Sequence, residues 1–172
     1  MHNPNQICIY LAEGECEEKI LKALKLKPAQ IPQGRVKRFN VIQRELKPAY
    51  LMSFPAGSKV ILVFDTDGEE TEILKKNLQL LNAQFGSVEV VTIPQYLNFE
   101  DELERCTDVV KAQDFTKSNS VKDFKNAVNR MKENEFRNAL KRHKFDFSKL
   151  WIKNPPKAFR FVKQQSDQIK LP

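Results

Sequence analysis

The chain is predicted to be an α/β protein in which helices flank a parallel sheet of about four strands. Apolar segments alternate with amphipathic segments of helical spacing across residues 6–93, as in parallel sheets with right-handed crossovers. The run Val60–Phe64 contains no polar residue, which is typical of a strand covered on both faces. Beyond Pro94 this pattern stops, so we expect an α/β domain over residues 1–96 and a basic, mainly helical extension over 97–172.

The predicted elements of the first domain follow from periodicity and from turn residues. Strands are expected at 6–12, 35–42, 60–64 and 87–93, and helices at 15–25, 44–53 and 69–81. The first helix has Ile20, Leu21 and Leu24 on one side. Pro48 lies inside the short second helix, and Gly86 is expected to end the third.

In the extension, Asn98 is a predicted helix cap, and residues 121–140 are expected to form one or two helices. Their apolar face comprises Phe124, Val128, Met131 and Phe136. The last stretch mixes aromatic residues with cations, and these rings either fasten the chain to its domain or stack on nucleic-acid bases. We favour fastening for this set, which is Trp151, Phe159 and Phe161.

Charge is distributed unevenly along the chain. The net charge is +7, but residues 115–172 carry 15 Lys and Arg against 5 Asp and Glu, whereas residues 1–114 carry 14 against 17. A basic segment of this kind neutralises phosphates, so DNA or RNA is the expected partner. The alternative is a solvated, lysine-rich helical face without a polyanionic partner.

Several classes of protein are disfavoured by what the sequence lacks. No apolar run approaches the roughly 20 residues that span a bilayer, and the N-terminal sequence has no signal-peptide pattern, so we expect a cytoplasmic protein without a membrane partner. The three cysteines form no CxxC pair, which argues against a zinc site or a disulfide scaffold.

Acidic residues follow two of the predicted strands. Glu13 ends the first strand in "IYLAEG", and Asp65 and Asp67 follow the third in "VFDTDG". If these strands are neighbours in a parallel sheet, the three carboxylates converge at its carboxyl edge, where ligands of α/β sheets bind. Such a group favours a divalent cation with hard oxygen ligands, Mg²⁺ or Mn²⁺. The alternative for the DTDG segment is a solvated turn.

The pair of motifs, "EG" after one strand and "DTD" after another, resembles the TOPRIM domain shared by topoisomerases, primases and several nucleases. The resemblance covers residues 7–93 and implies a Rossmann-like sheet. "EGECEEKIL" is most similar to small nuclease-like members of the overcoming-lysogenization-defect and RloB type. By this resemblance Glu13 is a general acid or base and a metal ligand, Asp65 and Asp67 hold the metal, and Glu17 serves a second metal.

The resemblance implies a Mg²⁺- or Mn²⁺-dependent phosphodiesterase, because the chain shows neither a primase zinc module nor the catalytic tyrosine domain of a topoisomerase. Nuclease-like relatives use a lysine near the phosphate, and the candidates are Lys117, Lys125 and Lys153. Acids at the start of the predicted helix after Asn98 either join the metal shell or only favour the helix dipole, and we favour the second role. They are Glu100, Asp101 and Glu102.

Two other functions compete with a nuclease. The first is a TOPRIM-like module that binds nucleic acid or a protein partner, including a second copy of the chain, without turnover. The second is a phosphatase of the haloacid dehalogenase type, because "DTDGE" resembles its DxDGT motif with Asp65 as nucleophile. That family places the motif near the N-terminus and needs acids after a later strand, whereas "VVTIPQY" supplies none.

Overall fold

A single four-stranded parallel sheet organises the chain in the computed structural model, which describes residues 6–84 and 89–172. The elements are β1 (Cys8–Ala12), α1 (Glu15–Leu24), β2 (Gly34–Arg38), α2 (Pro48–Leu51), β3 (Lys59–Phe64), α3 (Glu72–Gln84), β4 (Glu89–Pro94), α4 (Phe99–Cys106), α5 (Val121–Arg130) and α6 (Glu133–Arg142). The strand order is β2, β1, β3, β4, and every pair is parallel. The predicted α/β class and the parallel sheet flanked by helices are therefore confirmed.

The predicted bounds are wrong at several elements: the first strand begins at Cys8 rather than at residue 6, the third helix begins at Glu72 rather than at residue 69, and the second strand and second helix are shorter than predicted. The second strand ends at Arg38 rather than at residue 42. The prediction was too long because Phe39 and Val41 are apolar, but these residues are buried in the segment that follows the strand. The second helix is only four residues long and starts at Pro48, a position where the missing N–H of proline costs no helical hydrogen bond. Gly86 and the first two residues of the predicted strand 87–93 lie outside the described residues.

The central strands β1 and β3 are buried along their whole length. Alternate residues feed two separate cores, as the pleat of a strand requires. Tyr10 and Ile61 belong to the core under α1, α4, α5 and α6, whereas Leu11 and Leu62 belong to the core under α3. Because both faces are covered, the run from Val60 shows no polar alternation.

The extension packs on both faces of the sheet. Trp151 joins the first core and is 0% exposed, whereas Phe159 joins the second and is 1% exposed. These two rings therefore fasten the extension, but Phe161 remains 43% exposed. Both cores combine residues from either side of position 96. The segment 121–140, predicted to form one or two helices, contains α5 and most of α6.

Among the helices in the described ranges, none combines the length and the apolar character needed to cross a membrane. The three cysteines are buried free thiols, which agrees with a role as small core residues.

Gly34 provides a test of the close approach between β2 and β1. A Cβ at this position would lie 2.3 Å from the Cys8 carbonyl oxygen, a backbone atom that cannot rotate away. We expect Gly34→Ala to lower the free energy of unfolding in urea by roughly 1–3 kcal/mol, the usual cost of overpacking. Gly68→Ala is the control, because nothing lies within 4 Å of its Cβ position. Equal urea midpoints for the two variants would contradict this packing.

Candidate carboxylate site at the sheet edge

The carboxyl ends of β1 and β3 meet, because these strands are neighbours in register. The Glu13 amide donates to the Val63 carbonyl oxygen at 3.1 Å, which extends the strand pairing by one residue. The Asp65 amide then donates to Glu13 Oε2 at 2.7 Å. A second bond holds the Glu13 carboxylate, since Asn40 Nδ2 donates to Oε1 at 3.0 Å.

A third carboxylate enters this site from the first turn of α1. Glu17 is only 4% exposed, and a Cβ on Gly14 would lie 2.9 Å from its Oε2, so the glycine leaves room for this side chain. Gln95 follows β4 and bridges two of the acids, because its Nε2 donates to Glu17 Oε1 at 3.1 Å and to Asp65 Oδ1 at 2.6 Å.

Glu13, Glu17 and Asp65 line one open cavity of about 310 Å³. Its lining comprises Glu13, Gly14, Glu15, Cys16, Glu17, Asn40, Asp65, Phe99, Lys125 and Asn129. Lys125 is the cation in this lining, and its Nζ lies 2.8 Å from Glu100 Oε1. The charge of the Lys125 ammonium is thus partly neutralised by a fourth acid, Glu100.

The carboxylates of the site disfavour one another's charge. Burial, then the charges of Glu17 and Glu13, raise the pKa of Asp65 to about 9. Burial also raises the pKa of Glu17 and the pKa of Glu13, and the charge of Glu17 adds to the increase at Glu13. Asp65 therefore retains its proton near neutral pH unless a cation compensates the charge of the cluster.

Asp67 and the candidate lysines occupy different positions relative to this cavity. Asp67 is exposed and absent from the lining, but its charge contributes to the raised pKa of Asp65. Lys125 lines the cavity, whereas Lys117 and Lys153 do not. The Lys153 ammonium lies 4.6 Å from the centre of the Tyr96 ring.

The acids at the start of α4 divide between the site and the core. Glu100 faces Lys125, and its charge adds to the raised pKa of Glu17. Glu102 is fully buried and accepts hydrogen bonds from the backbone amides of Tyr96 and Trp151, both at 3.0 Å. Glu102 therefore fastens the extension to the end of β4.

The carboxylate oxygens of the site are the ligand type that a hard divalent cation requires. Side-chain amides already donate hydrogen bonds to several of these oxygens. Within residues 6–84 and 89–172, no group of three or more His, Cys, Asp or Glu side chains is placed to hold a metal ion. Oxygens of Glu13 and Asp65 accept from Asn40 and Gln95 instead. Three mutually repelling carboxylates around one cavity nevertheless suit Mg²⁺ or Mn²⁺ by charge and ligand type.

Sequence reasoning missed the neutral residues of the site. Asn40 and Gln95 hold the carboxylates, and Trp151 Nε1 fixes the Gln95 amide by donating to its Oε1 at 3.2 Å. The available signal was position alone, because Gln95 directly follows a strand, as Glu13 and Asp65 do.

Comparisons with protein-family models, with curated proteins and with solved structures gave no match to this chain.

The raised pKa of Asp65 predicts how stability depends on pH in EDTA. The folded chain binds this proton more tightly than the unfolded chain does, so the contribution of Asp65 to the free energy of unfolding falls as the pH rises from about 4 to about 9. We expect Asp65→Asn to raise the melting temperature at pH 8 by several degrees and to change it much less at pH 5. Gln95 can still donate to the Asn oxygen.

Thermal unfolding at the two pH values measures this difference, with Asp167→Asn as the matched control. Asp167 is exposed and lies beside Lys59 and Glu89, at the opposite edge of the sheet. A destabilising effect of Asp65→Asn at pH 8, in a variant that folds, would contradict the electrostatic account.

Proposed function

We propose that this chain is a Mg²⁺- or Mn²⁺-dependent phosphodiesterase that cleaves DNA or RNA through a TOPRIM-like carboxylate site. The observation that carries the proposal is the 2.7 Å hydrogen bond from the Asp65 amide to Glu13 Oε2, which joins the two strand ends bearing the motifs. Glu17 and Asp65 share Gln95 beside the same cavity. A phosphodiester approaching this edge would meet three acids in one place.

In this proposal Asp65, Glu17 and the exposed Asp67 hold the metal, which supplies a polarised phosphate and an activated water when bound. Glu13 acts as general acid or base. Burial raises its pKa above the usual range of a glutamate, and the bonds from Asn40 and the Asp65 amide fix the orientation of its carboxylate. Glu13 would join the metal shell only if its side chain, or that of Asp65, moved when the metal binds.

Lys125 is the lysine that the geometry favours for steadying charge on the phosphate, because it lines the cavity. Its partner Glu100 holds the ammonium at the cavity wall. The basic extension to which Lys125 belongs, with 15 cations against 5 acids over residues 115–172, would attract the nucleic-acid backbone.

Binding without turnover is the second candidate, and one feature favours it. The hydrogen bonds from Asn40 and Gln95 occupy carboxylate oxygens that a metal would need. In a binding module these bonds would persist, and the site would serve only to shape the sheet edge. In a nuclease they give way when the metal binds.

Cleavage of labelled single- and double-stranded DNA and RNA tests the proposal. We expect cleavage with Mg²⁺ or Mn²⁺ and none in EDTA. Glu13→Gln and Asp65→Asn should each lower the rate at least about 100-fold, the usual scale for loss of an acid–base or metal-bound group. Asp167→Asn should retain the native rate, because this residue is remote from the cavity.

Cleavage that persists in EDTA, or that is unchanged in Asp65→Asn, would refute the metal mechanism. Salt-sensitive binding without cleavage under any metal condition would favour the binding module.

A further inference from the structure

The turn over residues 157–163 presents an aromatic ring to solvent from a firmly anchored backbone. Phe159 and Val162 are three residues apart, and the Val162 amide donates to the Phe159 carbonyl at 3.0 Å. This 3₁₀-like spacing places both side chains on one side, where they join the core under α3. Phe161 therefore points outward, with its ring centre 6.3 Å from that of Phe159.

One cation contacts this exposed ring, and two others lie on the same turn. The Lys75 ammonium lies 5.4 Å from the centre of the Phe161 ring. Arg160 and Lys163 flank the ring in sequence and line a cavity of about 570 Å³. Within the described residues, neither of these two cations forms an ion pair with a carboxylate, and the cavity lining contains no acid. Phe161 and Lys75 do not line this cavity, but Phe161 lies between Arg160 and Val162, which do. We call the cavity together with Lys75, Arg160, Phe161 and Lys163 the Phe161 groove.

The Phe161 groove lies at the same sheet edge as the carboxylate site. Gln164 lines the groove cavity, and its Nε2 donates to the carbonyl oxygen of Pro94 at 2.9 Å. The next residue, Gln95, donates to Asp65 Oδ1 at 2.6 Å. Thr92 Oγ1 also donates to the Lys163 carbonyl at 2.7 Å, which fixes the groove against β4. One strand end thus links the two sites.

We propose that the Phe161 groove binds single-stranded nucleic acid, with a base stacked on Phe161 and phosphates on Arg160 and Lys163. An aromatic ring beside cations is the arrangement that single-strand binders use. A base within a duplex already has both faces covered by its neighbours, so only an unpaired base can reach the ring. This inference rests on the proposed function and names its substrate class, a single strand that leads into the carboxylate site.

Binding can be measured without turnover by fluorescence anisotropy in EDTA, with a labelled 12-nucleotide oligothymidylate, the matching oligouridylate and a duplex of equal length. We expect Phe161→Ala to weaken single-strand binding about tenfold, the scale of losing one stacked base, and to leave duplex binding nearly unchanged. Met52→Ala is the control, because Met52 is also an exposed apolar side chain but lies on the α2 segment.

Salt dependence isolates the phosphate contacts. Arg160→Gln and Lys163→Gln should each lower the slope of log affinity against log salt concentration by about 0.7, the value for one phosphate contact on a single strand. Arg142→Gln controls for the lost charge, because Arg142 lies in the last turn of α6 and does not line the groove cavity.

The inference would be overturned if Phe161→Ala left single-strand affinity unchanged or weakened duplex binding to the same extent. It would also be overturned if polyglutamate competed for the protein as well as the oligonucleotide does. These results are independent of cleavage. If Phe161→Ala cleaves and binds like the native chain, the groove proposal is wrong and the nuclease proposal is unaffected. If the native chain cleaves nothing in Mg²⁺ or Mn²⁺ but its single-strand binding depends on Phe161, the nuclease proposal is wrong and the groove proposal is supported.

Discussion

The site depends on the pairing of β1 with β3 at the centre of the sheet. The hydrogen bond from the Asp65 amide to the Glu13 carboxylate forms where these two strands end. Each strand is buried on both faces, and its alternate side chains pack into two different cores. A slip of one residue would turn core side chains to the wrong face and separate the two acids. The apolar sequence of these strands thus positions the polar chemistry that follows them.

Crowded carboxylates oppose folding, and the structure offsets this cost with neutral amides. Gln95 donates to Glu17 and Asp65, Asn40 donates to Glu13, and Trp151 holds Gln95 from the core. The offset is incomplete, since the pKa values of all three acids are raised. Destabilising groups of this kind are common at functional sites.

Sequence reasoning predicted the sheet class and the strand ends because these depend on local patterns, an apolar run at Val60 and acids directly after it. The neighbour relation of β1 and β3 was an assumption, because strand order is set by packing of the whole sheet. Strand 35–42 was too long since Phe39 and Val41 are buried in a turn. Gln95 was missed because a neutral amide carries no charge signal, and the lysines could not be ranked because α5 reaches the cavity only through tertiary packing.

Anomalous diffraction from a crystal soaked in Mn²⁺ tests the central claim most directly. The account predicts one strong peak in the cavity at the ends of β1 and β3. Oxygens of Asp65 and of at least one of Glu13 and Glu17 should lie about 2.1 Å from the metal. The hydrogen bond from Gln95 to Asp65 should be broken. An intact fold with Gln95 still bonded to Asp65 and Glu17, and with no peak in the cavity at millimolar Mn²⁺, would contradict it.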